Sequence, residues 1–248
     1  MLHVSGTGIP GGDDAVARLR AAGHRLRFVT NNTTHTRATL AQELRGLGVD
    51  LKDEELQTTP RAAAHALAGK RVLALTMSAI VEELEGVELV GEGADAVLLG
   101  GADEGSETNR VFSYMNLARA FHELDAGAEL YCLHRNRWWQ TATGPRLDAG
   151  AFVAGLEYAA QTEAIVLGKP STAYFDAALE SLDAEPGMTW MVGDDYESDI
   201  VGAQRCGLKT ILVRTGKFRP DAVERSGVMP DAIVNSIAAV PDWLERAL

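Results

Sequence analysis

Short β-branched and aliphatic runs alternate along the chain with stretches whose apolar positions recur every three or four residues, the pattern of strands alternating with amphipathic helices. Asp13 to Ala22 predicts a helix, with Asp13 and Asp14 at its start, where they are expected to cap it, and Gly23 just past its end. Arg25 to Thr30 then predicts a strand, and Thr36 to Leu47 a helix closed by Gly48. The same alternation returns late in the chain. Ala164 to Gly168 predicts a strand, Ser171 to Leu182 a helix, Thr189 to Val192 a strand, and Asp199 to Cys206 a short helix. Thr210 to Arg214 and Ala232 to Val234 predict two more strands, and Val240 to Leu248 a last helix. Strands and helices in strict alternation imply βαβ units and a mostly parallel sheet covered on both faces, an α/β, Rossmann-like architecture.

Between Pro60 and Glu163 the rhythm continues without chemically loaded turns at the strand ends. Arg71 to Leu75, Ala96 to Leu99 and Glu129 to Leu133 predict strands, and Asn109 to Leu124 the longest helix. Because the earlier pattern resumes at Ala164, residues 60–163 are expected to form an inserted α/β domain, with 1–59 and 164–248 forming the core domain. The start is odd. Only Met1 to Val4, a stub of strand, precede the glycine-rich loop that opens the first helix.

Composition narrows the function. With 46% apolar and 23% charged residues the chain is globular. No apolar run approaches the ~18 residues that span a bilayer, and no basic leader opens the sequence, so a soluble cytoplasmic protein is expected. The formal net charge of -12 opposes nucleic acid and anionic membranes. A small molecule is the expected partner, and even an anionic one is allowed where a lysine and a metal ion reverse the local sign. Cys132 and Cys206 have no ligand spacing and are expected to be reduced thiols.

In open parallel sheets, ligands sit beyond the carboxyl ends of the strands. Those ends carry Thr30-Asn31-Asn32-Thr33-Thr34, Gly168-Lys169-Pro170, and Gly193-Asp194-Asp195 followed by Asp199. Separately, each has a plain structural reading: a helix-capping turn, a surface lysine, and a turn with an N-cap. Together they supply a hydroxyl and an amide, an ammonium, and hard oxygen ligands, a set suited to a phosphate group and a magnesium ion. Several carboxylates at one strand end also repel one another unless a cation intervenes.

Phe28-Val29-Thr30-Asn31, Leu167-Gly168-Lys169-Pro170 and Gly193-Asp194-Asp195-x-x-x-Asp199 resemble motifs two, three and four of the haloacid dehalogenase (HAD) superfamily of hydrolases. Within it the chain is similar to subfamily IIA, the phosphatases with a large α/β cap between motifs two and three, such as the NagD-type, pyridoxal phosphate and HDHD2-like enzymes. Ile9-Pro10-Gly11 and Thr215-Gly216-Lys217 match that group too. The resemblance implies a Rossmann-like HAD core, with the cap between its halves, acting as a Mg²⁺-dependent phosphatase on a small phosphorylated metabolite. It implies that Thr30 binds the transferring phosphoryl group with Asn31 beside it. Lys169 would neutralise charge between attacking carboxylate and phosphate. Asp194 would ligate magnesium, with Asp195 and Asp199 ordering its waters or Lys169. A homodimer formed through the cap is a further implication.

The family attacks phosphorus with an aspartate of its first motif, Asp-x-Asp-Gly, forms an aspartyl-phosphate, and hydrolyses it with the help of that motif's second aspartate. The sequence begins at Met1, where that motif would have ended. The resemblance therefore implies that the nucleophile and the first, central strand are missing and that the chain as it stands is inactive. The expected penalty is several kcal/mol, comparable with a whole folding margin of ~5–15 kcal/mol. A misplaced start, with a valine GUG codon read as initiation, is the favoured account.

Two rivals stand beside this reading. A catalytically dead protein could keep the phosphate cradle for binding alone. Gly6-Thr7-Gly8-Ile9-Pro10-Gly11 also matches the dinucleotide fingerprint of an oxidoreductase, although Thr30 stands where that motif expects an acid. In the insert, His134-Arg135-Asn136-Arg137-Trp138-Trp139 could grip a leaving group, or the tryptophans could pack the cap or a dimer interface.

Overall fold

The structure, a computed structural model, describes residues 1–4, 6–103, 105–141 and 143–247, the side chains of Ala222, Arg225 and Ser226 aside. Ser5 and Leu248, which the sequence puts in the first loop and the last helix, lie outside the described residues. The chain opens with a small antiparallel ribbon, β1 (His3–Val4) against β2 (Thr7–Gly8). The helix Gly12–Ala21 follows. Its N-cap is Gly11 in the left-handed conformation, so Asp13 and Asp14 do not cap it by side chain as expected. They stand in its first turn, where their charge favours the positive end of the helix dipole, and Arg18 and Arg20 occupy the last turn.

β3 (Phe28–Thr30) is half as long as the sequence suggests. Arg25 and Arg27 turn outward instead, donating to the carbonyls of Asp183 and Glu54 respectively. β3 pairs in parallel with β4 (Leu56–Thr58), a buried strand the sequence pattern did not single out, so that Thr30 lies opposite Thr58. The helix Arg37–Gly46 connects them, capped by Thr36, whose side chain accepts from Thr39 N.

The insert holds a parallel sheet of its own. Its strands are β5 (Arg71–Thr76), β6 (Glu88–Leu89), β7 (Ala96–Gly100), β8 (Glu129–Cys132) and, after the antiparallel hairpin β9 (Trp138–Thr141) and β10 (Gly144–Leu147), β11 (Ile165–Val166). The order is β11-β8-β7-β5-β6. Every residue of β7 is buried, as both faces of a parallel sheet require.

Two expectations change here. The long helix over 109–124 is two helices, Glu107–Val111 and Tyr114–Asp125. Ser113 is extended and its hydroxyl accepts from Asn116 N, starting a new helix, while Phe112 stacks on Phe152 with ring centroids 4.2 Å apart. The run at 164–168, expected to resume the core sheet, instead adds an edge strand to the insert, pairing Ile165 with Tyr131 and Val166 with Cys132. The amide of Leu167 extends that pairing to Cys132 O.

The core resumes with the helix Thr172–Leu182. β12 (Trp190–Gly193), β13 (Lys209–Val213) and β14 (Ala232–Val234) then form a parallel three-stranded sheet, with Gly193 opposite Leu212. Among the described residues no strand pairs with the far edge of β3 or with the far edge of β12. A cavity of ≈ 500 Å³ lies between those edges, lined by Met1, Leu2, Phe28, Val29, Met191 and Val192 among others. No described helix is long and apolar enough to cross a membrane.

Candidate active site

The carboxyl ends of β3 and β12 meet the loop after β11 in one polar cleft of ≈ 270 Å³. Thr30, Asn31, Lys169, Asp194, Asp195 and Asp199 all line it, so every residue nominated from the sequence converges there.

Thr30 is the last residue of β3. Its hydroxyl oxygen accepts from Asn32 N at 3.0 Å, which leaves the hydroxyl proton free to donate into the cleft. The turn is fixed from behind by Tyr174, whose buried hydroxyl lies 3.0 Å from Thr30 O and 2.8 Å from Gln57 O. Asn32 Oδ1 accepts from Thr34 N and His35 N, closing the loop as an Asx turn.

Both ends of the Asn31 amide hold the backbone of Lys169. Nδ2 donates to Lys169 O at 2.8 Å, and Oδ1 accepts from Lys169 N at 3.0 Å. Asn31 thus holds the lysine's backbone from beside Thr30, at the wall of the cleft. The Lys169–Pro170 peptide is cis. Lys169 is buried, and its ammonium bonds Asp199 Oδ1 at 2.7 Å and Val29 O at 3.3 Å.

The carboxylates divide the remaining work. The chain leaves β12 through Asp194 into a π-helical turn, Tyr196–Val201, capped by the Asp195 side chain, which accepts from Ser198 N. Wide turns of this kind recur at functional sites. Asp199 sits within that turn, so the short helix predicted to start there begins only at Gly202. Gly193 makes this possible: a Cβ there would collide with the Asp199 carboxylate. Burial pushes Asp199 above the usual carboxylate range, with Asp195 and Asp194 adding to the rise and Lys169 opposing it. For Asp195 burial acts upward too, but the Lys217 ammonium and the Ser198 amide outweigh it and the carboxyl is held low.

Lys217, in the loop after β13 (Lys209–Val213), completes the set. Its ammonium bonds Asp195 Oδ2 at 3.0 Å and its backbone N donates to Asp194 Oδ2 at 2.8 Å. The Thr215-Gly216-Lys217 tail was available as a signal, since it follows a predicted strand just as the other motifs do. Gly216, at φ 55, leaves no room for a Cβ beside Asp194.

Asp194 Oδ1 faces a cation, the amino group of Met1 at 2.9 Å. Among the described residues no group of three His, Cys, Asp or Glu side chains could hold a metal alone. Asp195 and Asp199 are each tied to a lysine side chain, whereas Asp194 meets an amino group and a backbone amide, so Asp194 is the carboxylate that could hold a metal ion. Magnesium is commonly held in this way, by one or two carboxylates with waters and substrate phosphates completing its shell.

The insert supplies the opposite wall. His134 is buried; its Nε2 lies 3.0 Å from Thr33 Oγ1 and 3.7 Å from Asp148 Oδ1. Asn136 Oδ1 accepts from Ser198 Oγ at 3.2 Å. The Trp138 ring lies under Arg219 and Lys217, 4.8 and 5.8 Å from its centroid. The sequence read this segment as a loop after β8; the hairpin that presents Trp138, Trp139 and Gln140 to the core is found only in three dimensions. At the other end, residues 6–11 contain the second arm of an antiparallel ribbon and follow no strand of the parallel sheet, and the dinucleotide reading finds no support.

A parallel α/β sheet that gathers a hydroxyl, a buried lysine and an aspartate cluster at its strand ends suits phosphoryl-group chemistry. Known proteins agree. A haloacid dehalogenase-like hydrolase model matches residues 1–90, and a HAD-hydrolase-like model matches residues 166–240. The chain is 40% identical over 244 residues to the phospholysine phosphohistidine inorganic pyrophosphate phosphatase of Xenopus laevis, covering 96% of this chain and 87% of that one. It is 36% identical to the human haloacid dehalogenase-like hydrolase domain-containing protein 2, covering 100% and 93% of the two chains. Among solved structures, the p-nitrophenyl phosphatase from Archaeoglobus fulgidus superposes with a TM-score of 0.88 at 25% identity, covering 98% of this chain and 95% of that one. The chain belongs to the haloacid dehalogenase-like hydrolase family, as one of its phosphatases.

Proposed function

We propose that this protein is a Mg²⁺-dependent phosphomonoester hydrolase of the aspartyl-phosphate type, with a small phosphorylated metabolite as substrate. The observation that carries the reading is the buried Lys169–Asp199 pair, set between the Thr30 hydroxyl and the Asp194 carboxylate in one cleft. In this reading Thr30 donates to a phosphoryl oxygen, and Lys169 sets its positive charge beside the phosphate. Asp194 holds the metal, which would offset the phosphate's charge when bound. Asp195 is kept ionised by Lys217 and orients groups around Asp194. Trp138 from the cap and Arg219 from the core, stacked on each other, offer an aromatic and cationic surface to the rest of the ester.

The carboxylates present are all engaged. Asp199 is held by Lys169, Asp195 by Lys217 and Ser198, and Asp194 by the Lys217 amide and the Met1 amino group. None of the three is free to attack phosphorus, so these side chains account for holding the phosphate and its metal, and the attack itself is assigned to none of them. A calorimetric titration of inorganic phosphate with and without Mg²⁺, together with a p-nitrophenyl phosphate assay, tests this. Mg²⁺-dependent phosphate binding without turnover is expected. Turnover by these residues alone would overturn the assignment of the carboxylates, and binding indifferent to Mg²⁺ would overturn the metal's role.

A cap-mediated homodimer is part of the proposal. Tyr114, Met115 and Tyr158 are 82%, 70% and 89% exposed on the contacting helices Tyr114–Asp125 and Gly150–Ala160, an apolar surface of the kind that marks protein contacts. A cytoplasmic location also belongs to the proposal, and the reduced state of Cys132 and Cys206 is in keeping with it.

A further inference from the structure

Asp148 follows β10 and stands on the cap wall of the cleft, just before the helix Gly150–Ala160. It is only 6% exposed, yet little around it answers its charge. Oδ1 accepts from the adjacent Ala149 N at 2.8 Å and lies 3.7 Å from His134 Nε2, beyond hydrogen-bond distance. Oδ2 meets no donor among the described residues. His134 is no counter-ion. Its Nδ1 accepts from Asn136 N at 3.3 Å, so the neutral ring carries its proton on Nε2 and points it at Thr33 Oγ1, 3.0 Å away. Burial disfavours a second proton on that ring. The start of the helix adds a partial positive charge and no more.

The side-chain cations nearby are committed elsewhere. Lys169 bonds Asp199 and Lys217 bonds Asp195. Arg137 pairs with Glu197, and Arg219 lies over the Trp138 ring. A buried carboxylate without a cation is costly to a fold, and a ligand that brings the cation removes that cost. The same wall holds a second unmet group: Trp139 lines the cleft, and its Nε1 is buried without an acceptor. A carboxylate and an indole on one wall suit an ammonium, which can donate to the first and lie against the second. A hydroxyl could donate to Asp148 Oδ2 but would leave the charge unanswered.

We propose that Asp148 selects the leaving group: the phosphomonoester that this cleft takes carries a protonated amine on its alcohol part, and that ammonium donates to Asp148 Oδ2. The proposal rests on the phosphatase reading, which sets the phosphoryl group among Thr30, Lys169 and Asp194 and leaves the cap wall to the alcohol part.

The test is a calorimetric titration of this chain near pH ~7, where an alkylamine is charged, with Mg²⁺ present. Aminoethyl and aminopropyl phosphate are compared with ethyl and propyl phosphate, which match them in length and lack the amine. At least one amine is expected to bind about tenfold or more tightly than its neutral partner, the size of one charge-assisted hydrogen bond. Asp148→Asn keeps the bond from Ala149 N and removes the charge, and should bring that ratio to within about twofold. In the unmutated chain the preference should persist at ~1 M salt, where the Debye length is ~3 Å and a general attraction to an acidic protein is lost. Neutral esters that bind as tightly as the amines would overturn the proposal and leave the phosphatase reading standing. A preference that survives in the variant, or that disappears at high salt, would overturn it too. No Mg²⁺-dependent binding of any of the four esters would overturn the phosphatase reading, and the proposal with it.

Discussion

Lys169 Nζ lies 2.7 Å from Asp199 Oδ1, and both side chains are buried. The contact joins the loop after β11 to the turn after β12, and Lys169 also reaches the Val29 carbonyl in β3. One ammonium therefore touches each half of the core sheet.

Removing one partner of a buried ion pair leaves the other charge uncompensated. Lys169→Met should lower stability by ~3–5 kcal/mol, and adding Asp199→Leu should recover much of the loss. Urea denaturation of the single and double variants measures both. A double variant as unstable as the sum of the singles would show that the pair is not coupled.

Asp194→Asn keeps the shape of the side chain and removes its charge. The wild-type melting temperature should rise when Mg²⁺ and phosphate are added together, since a ligand bound by the native state alone stabilises it. In the variant that rise should vanish. An equal rise in both proteins would place the metal elsewhere.

His134 is held below the ordinary imidazole range, chiefly by burial and further by the Lys217 charge, against the pull of Asp148 and Asp195. The unfolded chain takes up that proton near pH ~6.5 while the folded chain does not, so stability falls as pH drops below ~6.5 towards the depressed folded value. Above ~6.5 the group contributes no slope. His134→Gln, which can still bond Thr33, should flatten urea midpoints over that acidic window relative to wild type. Parallel profiles would remove His134 from the account.

Gly193→Ala places a methyl group against the Asp199 carboxylate. A loss of ~1–3 kcal/mol is expected from overpacking, with weakened phosphate binding as Asp199 is pushed off Lys169. Gly23→Ala is the comparison, since its Cβ would meet nothing within 4 Å and only the left-handed φ of 85° is strained, costing ~1–2 kcal/mol. Phosphate affinity unchanged in Gly193→Ala would contradict the geometry.

If the proposed dimer forms through the exposed surface that carries Tyr158, Tyr158→Lys should shift sedimentation towards the monomer without lowering the melting point of the monomer itself. A sedimentation profile identical to wild type would exclude that surface as the dimer contact.

The make-up of the cleft was legible because the residues that line it follow strands, and the alternation of strand and helix patterns locates strand ends well. Thr30, Lys169, Asp194, Asp195 and Asp199 were all read that way. Roles inside the cleft were less legible. That Asn31 clasps the Lys169 backbone depends on two loops 138 residues apart in sequence, a distance no local pattern spans. The edge pairing of Ile165 and Val166 was misjudged because a short apolar run does not say which sheet it joins. The break at Ser113 was missed because Phe112 fits a continuous helical face equally well until its stacking on Phe152 is seen.

Lys169 has a mechanical role as well as an electrostatic one. Its ammonium reaches Val29 O and Asp199 Oδ1 at once, while Asn31 clasps its backbone. Three segments far apart in sequence are thus tied at one residue. An anion drawn to that ammonium would load all three ties together, so filling the cleft would stiffen its floor.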